Sequence, residues 1–460
     1  MYSQDFLIFG VKDLFERSAV IPKRYSILLT SMRSPYLDSD RTYPPLGLLY
    51  LKAALNAAGF EVGLEDNIDF STPERYAAYD VLGASVMTPQ REASLKFLKF
   101  CKRAYPDKPV VIGGPHARHY LEDVEKEPWD YIVPLDGLRP VVDIMHGATE
   151  RILWDRMSKS EWAATVRPDR RSNDARRLLS RYTYVLDGRR CTTMLTALGC
   201  PERCTFCEDS QTAVRWSSVE NIRAELDDIQ GLGYGGVYIF DDLFALSLAK
   251  IEPICRMLQE RGLIYRCTGQ ARYFNDDFAM LLASTGCREI AFGAESGSQK
   301  ILDTIEKRTT VAMNYRFVEL CKKYGIPCKA FLMLGLPGET HETIAETEKF
   351  IRDSGLYDFQ LSVFYPFKGT RIRGQMYAGG VGDGLMFEGE GLGAYGQRGG
   401  STESVVRTPG LSSRELLAER DRLVRTYRPA SHANKWGTQQ IDQDFFDTQF
   451  GTSVEYGCPS

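Results

Sequence analysis

Cys200-Pro-Glu-Arg-Cys204-Thr-Phe-Cys207 puts three cysteines at spacings of four and three. Thiolates packed this closely in a chain without secretory features point to a metal or redox centre rather than a disulfide framework. A structural zinc site wants four protein ligands. No fourth Cys or His lies in the loop, and Cys191 precedes the strand upstream. Three thiolates suit a 4Fe–4S cluster that keeps one iron open to another ligand. The flanks agree: residues 192–197 read as a strand and Leu198-Gly199 as the turn leaving it. Loops at the C-terminal ends of barrel strands are where αβ barrels do chemistry.

The chain's 460 residues suffice for two or three domains. A hydrophobic content of 43% with 26% charged residues describes a soluble globular protein. The net charge of −4 gives no reason to expect nucleic acid or an anionic membrane as partner. The start, MYSQDFLIFGVKDLFERSAV, lacks the basic and apolar regions of a secretory signal, and no apolar run reaches membrane-spanning length. A cytoplasmic location is expected. The cysteines outside the cluster motif are scattered through apolar patterns, so one cluster and no auxiliary cluster is expected.

Ahead of the motif, short apolar runs at 25–30, 60–64, 80–86, 109–112 and 131–133 alternate with helical patterns at 46–58 and 89–105. This predicts a doubly wound parallel sheet over about 20–145, with ligands at the carboxyl ends of its strands, by Ser85-Val86-Met87-Thr88 and Gly113 to His116. His116 and His119 are candidate ligands whose bland reading is turn or surface residues. Residues 146–188, rich in Arg from Arg167 to Arg181, read as a solvated linker.

After the motif, helix and strand patterns alternate to about residue 370 and predict a partial (β/α)6 barrel. The formal GxGxxG of Gly231 to Gly236 follows a helix and precedes a strand, the reverse of a dinucleotide fingerprint. The strand at 237–240 ends in Asp241-Asp242, carboxylates that are costly to bury without a polar ligand; helix capping is the alternative. The strand at 290–297 ends in Glu295-Ser296, and that at 329–334 in Gly335-Leu-Pro337-Gly338-Glu339. The glycines allow close backbone approach to a flat ligand. Residues 371–460 read as a C-terminal region shaping the pocket, with a Gly-dense lid at 379–400, a helix at 411–427 opened by the capping box Ser412 to Glu415, and a mixed aromatic and acidic stretch at 442–450.

CxxxCxxC with aromatic Phe206 before its last cysteine resembles the radical S-adenosylmethionine (radical SAM) superfamily. The resemblance spans about 25–370. It implies that Cys200, Cys204 and Cys207 hold a 4Fe–4S cluster whose open iron binds S-adenosylmethionine, cleaved there to a 5′-deoxyadenosyl radical. It implies a role for Asp241 or Asp242 at the amino group of S-adenosylmethionine, which makes both catalytic candidates. It places Glu295 and Ser296 near the ribose and carboxylate, and Gly335 and Pro337 near the adenine. PPLGLLYLKAAL (44–55), ASVMTP (84–89) and VVIGGPHA (110–117) resemble the cobalamin-binding domain of one class within the superfamily. Pro134-Leu-Asp-Gly137 replaces that domain's acidic-glycine loop, residues 65–79 are short, and no Asp-x-His-x-x-Gly supplies an axial histidine. The resemblance therefore leaves cobalamin open.

The expected function is radical dehydration, oxidation or epimerisation of a sugar- or aminocyclitol-like metabolite, argued from the trimmed first domain and the acidic barrel mouth. The alternatives are a cobalamin-dependent C-methyltransferase and an iron–sulfur electron carrier. The expected partners are a small-molecule substrate and an external electron donor such as flavodoxin, ferredoxin or a reductase, with neither nucleic acid nor membrane.

Overall fold

The computed structural model describes residues 25–32, 41–66, 68–377, 385–387 and 404–428. The lid read at 379–400 falls mostly, and the stretch at 442–450 wholly, outside them. Two parallel sheets organise the chain.

The first sheet holds β1 (Ser26–Ser31), β2 (Glu61–Glu65), β3 (Val81–Ser85), β4 (Val110–Gly113) and β5 (Tyr131–Val133) in the order β2-β1-β3-β4-β5, all parallel. These apolar runs are short because both faces are covered. Strand alternation sends Ile27 and Leu29 to the face carrying helices Leu46–Ala57 and Leu138–Met145. It sends Leu28, Leu82 and Ile112 to the face carrying helix Arg91–Ala104. Between β2 and β3 the described residues form one 3-10 turn, Pro73–Tyr76.

The second sheet is the partial barrel. After β6 (Val185–Leu186), its parallel strands are β7 (Arg189–Met194), β10 (Gly236–Ile239), β11 (Ile264–Gly269), β12 (Cys287–Glu295), β13 (Cys328–Leu334) and β14 (Asp358–Val363). They lie in chain order from β7 to β14, and β6 adds antiparallel at the β7 edge. The predicted strand at 192–197 is broken: β7 stops at Met194, and Ala197–Leu198 forms β8, paired antiparallel with β9 (Arg215–Trp216). That short ladder closes the cysteine loop at its base. Gly231 ends a helix and Gly236 begins β10, so the GxGxxG is a helix-to-strand turn. Helix Ser413–Tyr427, opened by the Ser412–Glu415 capping box, buries Leu416 and Leu423 in the barrel's outer core.

The Arg-rich stretch is not a solvated linker. It carries helices Lys159–Ala163 and Asn173–Ser180, and Arg170 is 1% exposed. Arg170 donates to Glu225 at 2.7 Å, to Thr192 Oγ1 and to the Thr193 carbonyl, so one guanidinium joins the linker to β7 and helix Val219–Gly231. Arg167 and Arg171 both pair with Asp228 on that helix. Arginine spacing cannot reveal this, because the partners lie over 50 residues away. Arg170→Ala strands a buried Glu225 carboxylate and is expected to cost about 3–5 kcal/mol, read as a lower urea unfolding midpoint. Arg170→Met with Glu225→Met should recover most of that loss.

Candidate functional site

The cysteine loop has no regular structure and is shaped by its own backbone. Gly199 opens it at φ +94°, where an added Cβ would collide with the Ala213 carbonyl. Cys200 N–H donates to Thr212 Oγ1 at 2.8 Å, and Thr212 N–H returns to the Cys200 carbonyl at 2.9 Å. Neighbouring elements then pin the loop. Thr205 N–H donates to Ile305 O, and Ile372 N–H to Thr205 O, both at 3.0 Å. Tyr273 OH donates to the buried Glu202, and Arg371 binds the Arg203 carbonyl and Glu306.

Cys200, Cys204 and Cys207 are free thiols at this loop. Burial pushes Cys200 up to about 11 and Cys207 to about 12, and raises Cys204 as well. Each feels at least one of the others' charge or that of Lys307. Among the described residues no three His, Cys, Asp or Glu side chains converge on a single ion. Three separate thiols on one loop suit a cluster that spreads its ligands over different irons. The donor set therefore fits a 4Fe–4S group.

The barrel strands deliver the other candidates. Asp241 is buried; its carboxylate accepts from Thr196 N–H at 2.7 Å and from the Thr196 hydroxyl. Burial holds it up to about 7. It thus braces the β7–β8 break rather than facing the cleft. Asp242 is open to the cleft, and its Oδ2 accepts from Gly199 N–H at 2.8 Å, above the loop entrance. Glu295 adopts φ +60°, where the β12–β13 register shifts. This strained backbone turns its carboxylate to Lys307 Nζ at 2.7 Å, and both residues are buried. Burial opposes the Lys307 charge, but Glu295 and Cys204 outweigh it and hold the ammonium above its usual range. Phe206 lies with its ring 5.9 Å from Lys307 Nζ. Gly293 lies beneath this pair, and any Cβ there would collide with Glu295.

Ser296 points elsewhere: its hydroxyl is 3.1 Å from Thr347 Oγ1 and accepts from Ser298 N–H. Gly335 has φ +82°, and Pro337 is buried in the turn after β13. Glu339 folds that turn, accepting from Gly335 N–H at 3.2 Å and from the Thr343 hydroxyl. Lys307 was not singled out in the sequence, since a lysine after a short helix carries no periodic or motif signal.

The first sheet's carboxyl edge faces this loop. Arg118 pairs with Asp209 at 2.9 Å, and His119 Nε2 lies 3.1 Å from a Glu208 carboxylate oxygen; both acids directly follow Cys207. Asp136, in the loop replacing the acidic-glycine pattern, binds Arg215 of β9 and accepts from Met157 N–H at 2.9 Å. Between these ties runs a cleft lined by Gly114, Leu135, Leu198, Gly199 and Asp242. An apolar slot descends from the same edge between β1, β3 and helix Leu138–Met145, lined by Ile27, Leu29, Gly83, Ala84, Val111 and Leu138. A Cβ on Gly83 would press on Leu29 at 3.2 Å, and one on Gly114 (φ +91°) on the Val86 backbone at 2.9 Å. The slot and its glycine rim fit the tail and face of a corrinoid. Among the described residues no histidine lines the slot as an axial ligand. His119 is engaged by Glu208, and His116 is buried with its ring stacked on Tyr120 at 5.2 Å.

Comparison with known proteins gives matching results. The radical SAM superfamily model matches residues 194–351, and the B12 binding domain model residues 37–143. An uncharacterized methyltransferase of Pyrococcus horikoshii is 28% identical over 361 residues, covering 72% of this chain and 78% of that one. The anaerobic magnesium-protoporphyrin IX monomethyl ester cyclase of Rubrivivax gelatinosus is 26% identical over 351 residues, covering 68% of this chain and 62% of that one. The radical S-adenosylmethionine methyltransferase TsrM of Kitasatospora setae, solved with tryptophan and a SAM analogue, superposes with a TM-score of 0.66 at 20% identity, over 80% of this chain and 79% of that one.

These findings correct the expected dehydration, oxidation or epimerisation of a sugar- or aminocyclitol-like substrate. The relatives include proteins named as methyltransferases beside the cyclase, and the B12 binding domain model matches the first domain. The acidic barrel mouth behind that expectation is also largely neutralised, since Glu295 is paired with Lys307 and Asp241 is held by Thr196.

Burial raises Glu339 to about 7 from an ordinary 4.5. The folded chain thus holds a proton that the unfolded chain has released. Stability from this group is full below about pH 4.5 and is lost as the pH rises through about 7. Glu339→Gln should flatten the fall of the thermal unfolding midpoint between about pH 4.5 and about pH 7.

Proposed function

We propose, from the premise that this chain is a radical SAM enzyme with a B12-binding domain ahead of its radical core, that it methylates a carbon of a small-molecule substrate with the aid of cobalamin. The observation carrying this reading is the shared cleft. The carboxyl edge of the first sheet and the cysteine loop line one space, tied across it by Arg118–Asp209 and by Arg215 with Asp136. A ligand on that edge is held next to whatever the loop binds, as transfer between them requires.

When bound, the cluster and S-adenosylmethionine supply a 5′-deoxyadenosyl radical, and a corrinoid a transferable methyl group. The protein's part is placement. Cys200, Cys204 and Cys207 hold the cluster. Asp242, the open member of its pair, takes the amino group of S-adenosylmethionine. Lys307 offers the nearby positive charge, and Glu295, oriented by it, an acceptor for the ribose. The turn at Gly335 and Pro337 approaches the adenine through its backbone. Ser296 acts indirectly, fixing the strand end against helix His341–Ser354. An external donor supplies electrons to the cluster. Among the described residues no helix is long and apolar enough to cross a membrane.

The test is anaerobic reconstitution with iron, sulfide and hydroxocobalamin, followed by assay with S-adenosylmethionine and a reductant. Bound corrinoid in the absorption spectrum, with S-adenosylhomocysteine released, is the expected result. Release of 5′-deoxyadenosine with no corrinoid bound would overturn the methyl-transfer reading. A cluster that cleaves no S-adenosylmethionine would leave only an electron carrier. Cys204→Ala should lose the cluster absorption and all product.

A further inference from the structure

The barrel's concave face is built of alternating positions that leave a lined chamber. On the convex side, Phe292 stacks on Phe317 at 4.0 Å and Cys267 lies against Cys287, so those positions face the helices. The intervening residues face inward. At the floor, the Arg266 guanidinium sits 4.3 Å over the Tyr238 ring and pairs with Glu289 at 3.0 Å. Beside it, Lys329 and Arg428 share Asp358. The floor charges are thus satisfied within the protein. Tyr43, from the first domain, packs on Tyr238 and Phe240.

Above this floor the inward positions keep open surface: Phe240, Phe331, Met333, Gln360 and Ser362. Phe240 is 38% exposed, an unusual fraction for an aromatic at the end of an interior strand. Ala291 on the neighbouring β12 adds little bulk, and Gly293 lies under the Glu295–Lys307 pair. The walls are therefore two rings and a thioether, with amide and hydroxyl groups between.

Gln270 completes the chamber. It follows β11, whose Arg266 and Thr268 face inward, while an added Cβ on Gly269 would meet Ile290 and Phe317 on the helix side. Gln270 sits just past the C-terminal end of β11, which lies between β10 and β12 in the sheet. Gln270 is 4% exposed, yet neither its amide oxygen nor its amide nitrogen has a partner among the described residues. A buried amide left unpaired is destabilising, and a ligand with a matching edge would return that cost.

We propose that this chamber is the substrate site and that it takes a planar, uncharged, largely apolar ring system whose polar edge carries one donor and one acceptor, read by the Gln270 amide. The ring lies between Phe240 and Phe331, with Met333 above. Stacking and edge contacts on those walls reward a flat body. The paired floor charges offer nothing to a charged one. This deepens the methyl-transfer reading and rests on it for the chemistry, but the binding itself is separable from it.

The test is anaerobic calorimetry on the cluster-loaded protein with S-adenosylmethionine present. The probes are indole-3-carboxamide (donor and acceptor edge), indole-3-carboxylate (acceptors only) and glucosamine (a cationic polyol). Indole-3-carboxamide should bind at least about tenfold more tightly than either of the others. Gln270→Leu should erase its preference over the carboxylate, while Gln270→Glu, of the same size, should move the preference to indole-3-carboxamidine. Phe331→Ser should weaken every indole probe by about tenfold. Affinity for S-adenosylmethionine should stay constant in all three variants, which also reports that they fold. Preference for glucosamine or the carboxylate would overturn the proposal, as would a Gln270→Leu variant that loses S-adenosylmethionine instead. Probe preference without S-adenosylhomocysteine formation would fault the methyl-transfer reading alone; methyl transfer without probe preference would fault this one alone.

Discussion

Everything in this protein's second half converges on holding an irregular loop still. Three thiols, one buried and two half-buried, on a loop without helix or strand have no ladder to fix them, so the surroundings must do it. Thr205 does the most with least: its N–H reaches the segment after β12, and its carbonyl receives the N–H of Ile372 after β14. One residue therefore ties the loop to two barrel strands on the far side of the mouth. The β8–β9 ladder closes the base, and Tyr273 reaches in from β11's end to Glu202. A cluster site needs ligands placed to a fraction of an ångström, and here that placement is inherited from the barrel.

The same anchoring explains why the two domains communicate. Glu208 and Asp209 follow Cys207 directly and meet His119 and Arg118 of the first domain. Burial holds Glu208 up to about 7 and His119 down to about 4, so this contact is a hydrogen bond between crowded groups more than a free ion pair. The surface pairs elsewhere on the chain, such as Lys349 with Asp353, are worth little by comparison. The first sheet's position over the loop is thus set by residues within two positions of a cysteine.

Much of this was legible in the sequence, for identifiable reasons. Apolar runs of four to six residues between helical patterns gave both sheets, because parallel strands buried on two faces leave no other signature. The cysteine spacing gave the loop. What failed was long-range. Arg170 looked like one more solvated arginine, because Glu225 is 55 residues distant. Asp241 and Asp242 looked equivalent, and only the break after Met194 makes the first a brace and leaves the second open. Ser296 sits in a motif but turns its hydroxyl to Thr347.

The misjudged function has the same root. Counting carboxylates at strand ends suggests an acidic mouth and a cationic substrate. Charge in a barrel is a property of pairs, however, and the pairing of Glu295 depends on a lysine twelve residues on that no motif marks. Once Lys307 is paired, and the floor has paired Arg266 with Glu289 and Lys329 with Asp358, the inward positions among the described residues show rings, a thioether and the unpartnered amide of Gln270. Because an uncompensated buried charge would cost far more than an exposed ring, a chamber built this way has shed charge wherever it could. Among the buried groups without a partner in the described residues, the Gln270 amide is the one that directly follows a barrel strand, which is why it is informative.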